Sequence, residues 1–183
     1  MTRLASVLSA ADLPLAELSA ARLDGELFPL DECYTLSDLP VGRDERGQVL
    51  TAILPGHAVA NHDSAAWVHG AIDEPPSVHS FAVDIAARTY TPPSIRYRMH
   101  EVVLPTRDIT RIGGSALTTP LRTLGDLART RTSWSGDDEA VLRKLADMAE
   151  ADEGRILRYL TASARLPGKQ RARQRIRAAF SPR

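Results

Sequence analysis

The side chains that could do chemistry most directly are the cations in the C-terminal part of the chain. From residue 155 to residue 183 there are nine basic side chains and no acidic one. Guanidinium and ammonium groups without neighbouring carboxylates commonly bind phosphate oxygens, and a run of one sign indicates an acidic partner, most often nucleic acid. We therefore predict that this segment contacts DNA. The predicted contact residues are Arg165, Lys169, Arg171, Arg173, Arg175 and Arg177.

The rest of the chain has the opposite sign of charge. Residues 1–47 carry 4 basic and 9 acidic side chains, and residues 48–153 carry 10 and 14, so a formal net charge of zero conceals an acidic body and a basic arm. An alternative follows, because a basic helix can dock on the acidic N-terminal half of its own chain. The alternating cations would spread around most of a helix, while Ile176 and Phe180 anchor one side. We expect a helix that cannot bury its charges against a core.

A second candidate for chemistry is the pair of histidines at 62 and 69. They are seven residues apart, which is two helical turns, so both rings lie on one face of a helix. Zinc-binding pairs on a helix normally sit four apart, so this spacing does not suit one metal ion. The spacing favours a structural role, in which His62 and Ser64 cap the helix start and His69 forms a hydrogen bond near its end. We predict no metal and no cofactor.

No group of residues predicts catalysis. A nuclease of the restriction type would need an Asp and a Glu-x-Lys to hold magnesium, and neither Lys144 nor Lys169 has the required carboxylate before it. Phosphate-binding loops, dinucleotide fingerprints, nucleophile elbows and kinase signatures are also missing from the sequence. Ser115 follows two glycines that predict a turn, and the single Cys33 cannot form an internal disulfide. We therefore predict a protein that is not an enzyme.

These residues must be positioned by secondary-structure elements. The sequence pattern predicts an α+β protein with a small mixed sheet flanked by helices and a helical C-terminus. Turn and cap residues divide the chain into a module over residues 1–43, whose last residues 37–43 form a linker, and a domain over residues 44–183. Helices are predicted at 3–10, 14–25, 44–54, 62–69, 120–129, 137–149, 152–164 and 168–180, with caps at Asp12, at Asp44 and at Asp137 or Asp138. Strands are predicted at 57–61, 77–84 and 95–104, with a ribbon over 26–36 and a strand pair over 108–117.

The N-terminal module has the outline of a winged helix, with two or three short helices followed by a ribbon. A winged helix needs about 60 to 80 residues to bury its own core, and this segment is shorter. We predict a reduced winged helix. The sequence has no apolar stretch near the roughly 20 residues needed to cross a bilayer and no signal-peptide pattern, which predicts a cytoplasmic protein without a membrane partner.

Two segments carry a resemblance to a known family. The first is Asn61-His-Asp-Ser-Ala-Ala-Trp-Val-His-Gly70, and the second runs from Arg111 through Thr118-Thr-Pro-Leu-Arg-Thr-Leu-Gly-Asp126 to Ala128. Together they resemble the actinobacterial AbiEi-like proteins, which are antitoxins of type IV toxin–antitoxin systems or transcriptional regulators. The resemblance implies a winged helix and a cognate toxin. Its motif residues, which we expect to be structural, are His62, Ser64, His69, Gly70, Thr119, Pro120, Arg122 and Asp126.

The sequence departs from the family pattern at both ends. Where the family often has arginines in the wing, this chain has Asp31 and Glu32, which would repel phosphate. We therefore expect the N-terminal module to pack against the main domain or a partner rather than contact DNA. The segment from Pro167 to Arg177 resembles a helix after which many relatives continue into an endonuclease-like domain, and we expect no such domain here.

The sequence as a whole predicts a DNA-binding transcriptional regulator or antitoxin, acting without a cofactor and as a possible homodimer on a two-fold operator. The main alternative is a protein-interaction module whose basic tail contacts a partner or RNA. A third possibility is a nuclease fragment that has lost its function, which only the architecture of the relatives favours.

Overall fold

A computed structural model of the chain describes residues 6–54, 56–87, 93–162 and 167–181. These residues form helices α1 (Leu15–Leu23), α2 (Arg43–Ile53), α3 (His62–His69), α4 (Pro120–Thr130), α5 (Gly136–Met148), α6 (Glu153–Ala162) and α7 (Lys169–Phe180). The strands are β1 (Val7–Leu8), β2 (Leu27–Leu30), β3 (Cys33–Leu36), β4 (Val59–Ala60), β5 (His79–Asp84), β6 (Tyr97–Val102), β7 (Ile109–Ile112) and β8 (Ser115–Thr118). The predicted α+β class is confirmed.

A five-stranded mixed sheet lies at the centre, in the order β6-β5-β4-β8-β7. The pairs β5–β6 and β4–β8 are parallel, whereas β4–β5 and β7–β8 are antiparallel. Successive side chains of a strand point to opposite faces, so Phe81 packs under α2 and α3 while Ala82 joins a small cluster with Leu104 on the other face. The predicted small mixed sheet flanked by helices is confirmed.

The turn between β7 and β8 lies directly against α2. Gly113 and Gly114 both have positive φ angles, of 56° and 88°. A Cβ on Gly47 or on Gly113 would collide with the backbone of the opposite segment, so only glycines allow this approach. Ser115 is buried, and its hydroxyl donates a hydrogen bond to the Gly47 carbonyl oxygen at 2.8 Å. The predicted glycine turn is confirmed.

The helices α4 to α7 pack together beside the sheet. Their shared core contains Leu124 of α4, Leu145 of α5, Leu160 of α6 and Ile176 of α7, each at most 1% exposed. Each side chain comes from the apolar stripe of an amphipathic helix, the pattern that predicted these helices. All four predictions are confirmed to within a few residues, except for the part of α6 predicted at 163–164, which lies outside the described residues.

Two helices begin at caps that differ from the predicted aspartates. Helix α2 begins after Gly42, whose N–H donates to the Glu45 carboxylate at 3.0 Å, and not after Asp44. Helix α5 begins after Ser135, whose N–H donates to the Asp138 carboxylate at 2.7 Å. In both cases a carboxylate in the first turn reaches back to the residue before the helix, so the acidic residue marks the third position rather than the cap.

The N-terminal module differs from the prediction at its start. The helix predicted over residues 3–10 is wrong at Val7 and Leu8, which form strand β1 antiparallel to β3. Thr35 stabilises this pairing, because its hydroxyl donates to the Ser6 carbonyl oxygen at 3.1 Å. The predicted ribbon is confirmed as β2 and β3, and α1 ends as expected before Gly25, which has a φ of 79°. Its start differs, since Asp12 accepts hydrogen bonds from Ser9 and does not cap α1.

This module shares a core with the main domain. Val7 and Cys33 pack in one buried cluster with Val49 and Leu50 of α2. Its described part holds one helix and three strands, and the reduced winged helix and the domain boundary after residue 43 stay predictions. None of the helices in the described ranges is long and apolar enough to cross a membrane.

Candidate nucleic-acid interface

The basic segment forms helix α7, which has one buried face. Ala172, Ile176 and Ala179 are almost completely buried, and Phe180 packs partly against the same core. These residues contact α4, α5 and α6, so the alternative of a helix docked on the acidic N-terminal half is wrong. The predicted anchoring by Ile176 and Phe180 is confirmed.

One predicted DNA contact, Arg175, is used inside the fold. One terminal nitrogen of its guanidinium donates to the carbonyl oxygens of Ala128 and Arg131 at 3.1 and 2.8 Å, which caps the C-terminal end of α4. The guanidinium also lies over the Trp134 ring, 4.1 Å from its centroid. Burial and, secondarily, the neighbouring Arg171 lower the pKa of Arg175. The expectation that α7 cannot bury its charges holds only in part, because Arg175 is half-buried against α4 and Trp134.

The other cations of α7 lie on its outer side. Arg171, Arg173 and Arg177 are exposed and Lys169 is half-buried. Within the described ranges, no carboxylate forms an ion pair with any of these four side chains. Arg165 falls outside the described residues. These cations are spread around the outer side of α7, and the described part of the chain does not neutralise their positive charge.

The start of α7 is fixed by a close backbone contact. Gly168 precedes the helix with a φ of 80°, and a Cβ there would lie 2.7 Å from the Arg129 carbonyl oxygen. The Arg129 guanidinium donates to the Pro167 carbonyl oxygen at 3.0 Å. Because α4 supplies both contacts, the position of the basic helix depends on α4.

Arg129 belongs to a buried network of four charged side chains. Arg122 donates to Asp108 at 2.8 Å and to Asp126 at 2.7 Å, and Arg129 donates to Asp126 at 2.5 Å. All four are at most 8% exposed, and the two positive charges balance the two negative ones. Burial alone would lower the pKa of Arg122, but Asp126 and Asp108 outweigh this effect and raise it above its ordinary value. The network connects the segment before β7, helix α4 and the start of α7.

Two further motif residues set the beginning of α4. Thr119 is the N-terminal cap, and its hydroxyl oxygen accepts from the Arg122 N–H at 3.4 Å. Pro120 occupies the first helical position, where its missing N–H has no cost. The predicted helix start at Thr119 and Pro120 is confirmed, and it places Arg122 and Asp126 on one face of α4.

The histidine motif forms helix α3 with the predicted bounds. Gly70 ends it in the left-handed conformation, with a φ of 84°. His69 is 1% exposed, and its ring nitrogens contact the Thr118 carbonyl oxygen at 2.8 Å and the Arg43 guanidinium at 3.1 Å. Burial, together with the nearby Arg43 charge, lowers the pKa of His69 to about 4 despite the bond to Thr118. His69 is therefore neutral at pH 7 and joins α3 to β8 and α2.

The other end of α3 contacts the opposite part of the sheet. His62 lies 3.2 Å from the Ser80 hydroxyl, and its ring stands 5.1 Å from that of His100. Burial lowers the pKa of both rings. Ser64 accepts from the Ser80 N–H at 2.9 Å, which attaches the helix to β5 instead of capping it. The cap position is Asn61, so the predicted capping by His62 and Ser64 is wrong.

The sequence analysis missed a chain of three polar residues that begins at Ser64. Its hydroxyl lies 2.9 Å from His79 Nδ1, and His79 Nε2 lies 2.9 Å from the Asp31 carboxylate. The residue types are those of a hydrolase triad, but the two ring nitrogens are used in the opposite order, with Nδ1 at the serine and Nε2 at the carboxylate. Ser64 is also fully buried, and His79 is 1% exposed. A substrate could not reach this serine in the described conformation. The chain connects α3 and β5 to the N-terminal module, and no spacing in the sequence brings residues 31, 64 and 79 together.

The acidic wing residues have partners in the main domain. Arg96 pairs with Glu32 and lies 3.6 Å from Asp31, whose side chain is only 8% exposed. These contacts agree with the expected packing of the module against the main domain. No cluster of three or more metal-binding side chains occurs in the described segments.

Comparison with known proteins identifies the class to which this fold and motif belong. The family model of the AbiEi antitoxin C-terminal domain matches residues 58–177. The chain therefore belongs to the AbiEi antitoxin family, as its two motifs predicted, and this membership indicates a role in a toxin–antitoxin or regulatory system. No curated protein matches the chain.

A solved structure supports the fold independently. The crystal structure of the RV2827C protein from Mycobacterium tuberculosis is similar to this chain with a TM-score of 0.53 and 16% sequence identity. The similarity covers 97% of this chain and 73% of that one, so it includes the N-terminal module as well as the family domain. At this level of identity the similarity concerns the fold alone.

Proposed function

We propose that the protein is a DNA-binding regulator or antitoxin of an AbiEi-type system, and that the outer side of α7 lies against the DNA phosphates. The observation that supports this most is the arrangement of α7 itself. Its apolar face is fixed in the core, while Arg171, Arg173 and Arg177 are exposed without a carboxylate partner in the described ranges. Phosphate groups would supply the missing negative charge.

The two ends of the chain would have different roles. Contacts to phosphates position a protein on DNA but carry little sequence information, so α7 would supply affinity. The acidic residues of the wing already have partners in His79 and Arg96, which supports a packing role for the N-terminal module. A homodimer on a two-fold site would add specificity through the spacing of its two α7 helices, and the site of action would be the cytoplasm. The proposal is for a binding protein and not an enzyme.

The test is a salt series of DNA binding. The full chain should bind a duplex from upstream of its own gene with an affinity that falls steeply with salt. Replacing Arg171, Arg173 and Arg177 by Gln should make the log–log slope less negative by about 3, since each lost phosphate contact changes it by about 0.9. A matched control replaces Arg22, Arg107 and Lys144 by Gln, which removes the same charge from other exposed positions. Equal slopes for the two variants would contradict the proposal.

One observation favours the alternative of a protein-interaction module. The acidic N-terminal module exposes large apolar side chains, with Leu15 64%, Leu23 86% and Phe28 57% exposed. Exposed apolar groups on one module are typical of a surface that contacts another protein. A cognate toxin or a second copy of the chain would cover them.

Sedimentation of the wild type and of a variant with Ser at these three positions distinguishes the two functions. Concentration-dependent association that the variant loses, together with DNA binding that does not depend on α7, would favour the interaction module.

A further inference from the structure

A groove between α6 and α7 brings together cations from two helices. It has a volume of about 480 Å³ and is lined by Leu157, Arg158, Thr161, Ala162, Arg173 and Arg177. Half of the lining side chains are arginines, and no carboxylate lies among them. Arg158 belongs to α6 and is not one of the DNA contacts that the sequence predicted.

Both walls of the groove are held by the core. Ile156 and Leu160 anchor α6, and Ile176 anchors α7, all at most 1% exposed. Arg173 crosses the groove and donates to the Thr161 hydroxyl at 3.0 Å. The packing of the two helices therefore places the three arginines along one groove.

The groove carries three positive charges that no described carboxylate balances. Like charges that share a groove repel one another, and no ion pair from the described residues reaches Arg158, Arg173 or Arg177. A guanidinium presents a planar fork of donors that matches two oxygens of a phosphate group, and several such forks can surround one phosphodiester. Leu157 and Ala162 supply the apolar part of the lining.

We propose that this groove holds a phosphodiester of the DNA backbone, and that Arg158 is a contact contributed by α6. The inference rests on the proposed DNA-binding function and adds a second helix to the interface. The phosphate backbone of one DNA strand would then follow the α6–α7 groove instead of crossing α7 alone.

The experiment compares two arginines of the same helix. Arg158→Gln should weaken binding to a duplex about 5- to 10-fold at 0.1 M salt and make the log–log slope less negative by about 0.9. Arg155→Gln is the matched control, because Arg155 is also exposed on α6 but does not line the groove. It should change affinity about 2-fold or less, because its guanidinium donates to the Glu150 carbonyl oxygen at 3.0 Å and does not enter the groove. Arg158→Lys should keep the slope of the wild type while losing part of the affinity, since the point charge remains but the fork does not.

The outcomes separate this inference from the function on which it rests. If the wild type shows no salt-dependent DNA binding, the proposed function fails. If the wild type binds but Arg158→Gln and Arg155→Gln behave alike, only the groove is removed from the interface. Inorganic phosphate should compete with the duplex no better than chloride does at equal ionic strength. Stronger competition by phosphate would mean that the groove binds a free anion and not the DNA backbone. Thermal denaturation of both variants and of the wild type checks that the fold is retained.

Discussion

The arginines of α4 and the arginines of α7 have the same chemistry and opposite uses. Arg122 and Arg129 are buried, and two aspartates balance their charge, so they hold one part of the chain to another. Arg171 and Arg177 are exposed, and no described carboxylate faces them, so their charge is available to a partner. Burial and pairing, rather than residue type, decide whether an arginine stabilises the fold or serves an interface. Breaking buried polar contacts should therefore cost stability, whereas removing exposed charges should cost binding instead.

The buried network should give the largest loss of stability. Asp126→Ala leaves Arg122 and Arg129 without a shared partner in the core, which should lower the free energy of unfolding by about 3–5 kcal/mol. Urea denaturation measures the change. Asp137→Ala is the control, because Asp137 is exposed on α5 and should change stability by about 0.5 kcal/mol or less. Similar losses in both variants would show that the network does not stabilise the fold.

His69 should make stability depend on pH in the acidic range. Its pKa is about 4 in the folded state and about 6.5 when the chain is unfolded, so the unfolded state takes up a proton first as the pH falls. The contribution of neutral His69 is therefore complete above pH 6.5, and about 3 kcal/mol is lost between pH 6.5 and pH 4. Denaturation of the wild type and of His69→Gln across this range measures the difference. A variant whose stability falls as steeply as that of the wild type would contradict the assignment.

The hydrogen bond between Asp31 and His79 should couple the N-terminal module to the main domain. In a double-mutant cycle with Asp31→Ala and His79→Ala, we expect a coupling free energy of about 1–2 kcal/mol, because both side chains are largely buried. A second cycle pairs Asp31 with the exposed Lys144, which it does not contact, and should give a value near zero. Zero coupling in the first cycle would mean that this hydrogen bond does not hold the module to the main domain.

Two positions on α7 offer the most direct comparison, although the effects are smaller. Arg175→Ala removes the cap on α4 and the contact with Trp134, and should lower the free energy of unfolding by about 1 kcal/mol. Arg171→Ala should leave stability unchanged within about 0.5 kcal/mol and weaken DNA binding instead. If the two variants exchange these effects, the division of α7 into an inner and an outer side is wrong.

Local signals predicted most of the elements because each signal acts within a few residues. Gly70 ends α3 through its left-handed backbone conformation, and Thr119 with Pro120 begins α4 through a side-chain cap and a fixed φ angle. Both ends were predicted correctly. Strand β1 was not predicted, because its two residues form a strand only through pairing with β3, which is distant in sequence. The strand propensity of two residues does not indicate the distant segment with which they pair.

Long-range contacts also explain which features of the candidate site were not predicted from the sequence. The alternating cations of α7 are visible in the sequence, but the contacts of Arg175 depend on α4 and Trp134, whose positions the sequence does not give. Conversely, Arg158 was not predicted as a contact residue, because it lines the groove only when α6 and α7 are packed together. The bond from Asp31 to His79 likewise joins residues 48 positions apart.

Helix α7 is short and is attached at Gly168, and both features affect how a synthetic peptide with its sequence would behave. The helix has 12 residues, and helices of about 12–15 residues are only marginally stable in water without tertiary support. A synthetic peptide with this sequence would lose the Arg129 contact at its start and the Arg143 bond to its last turn, so it would be largely unfolded. We expect such a peptide to compete poorly for any ligand of the intact chain, and a stapled version to recover part of the difference.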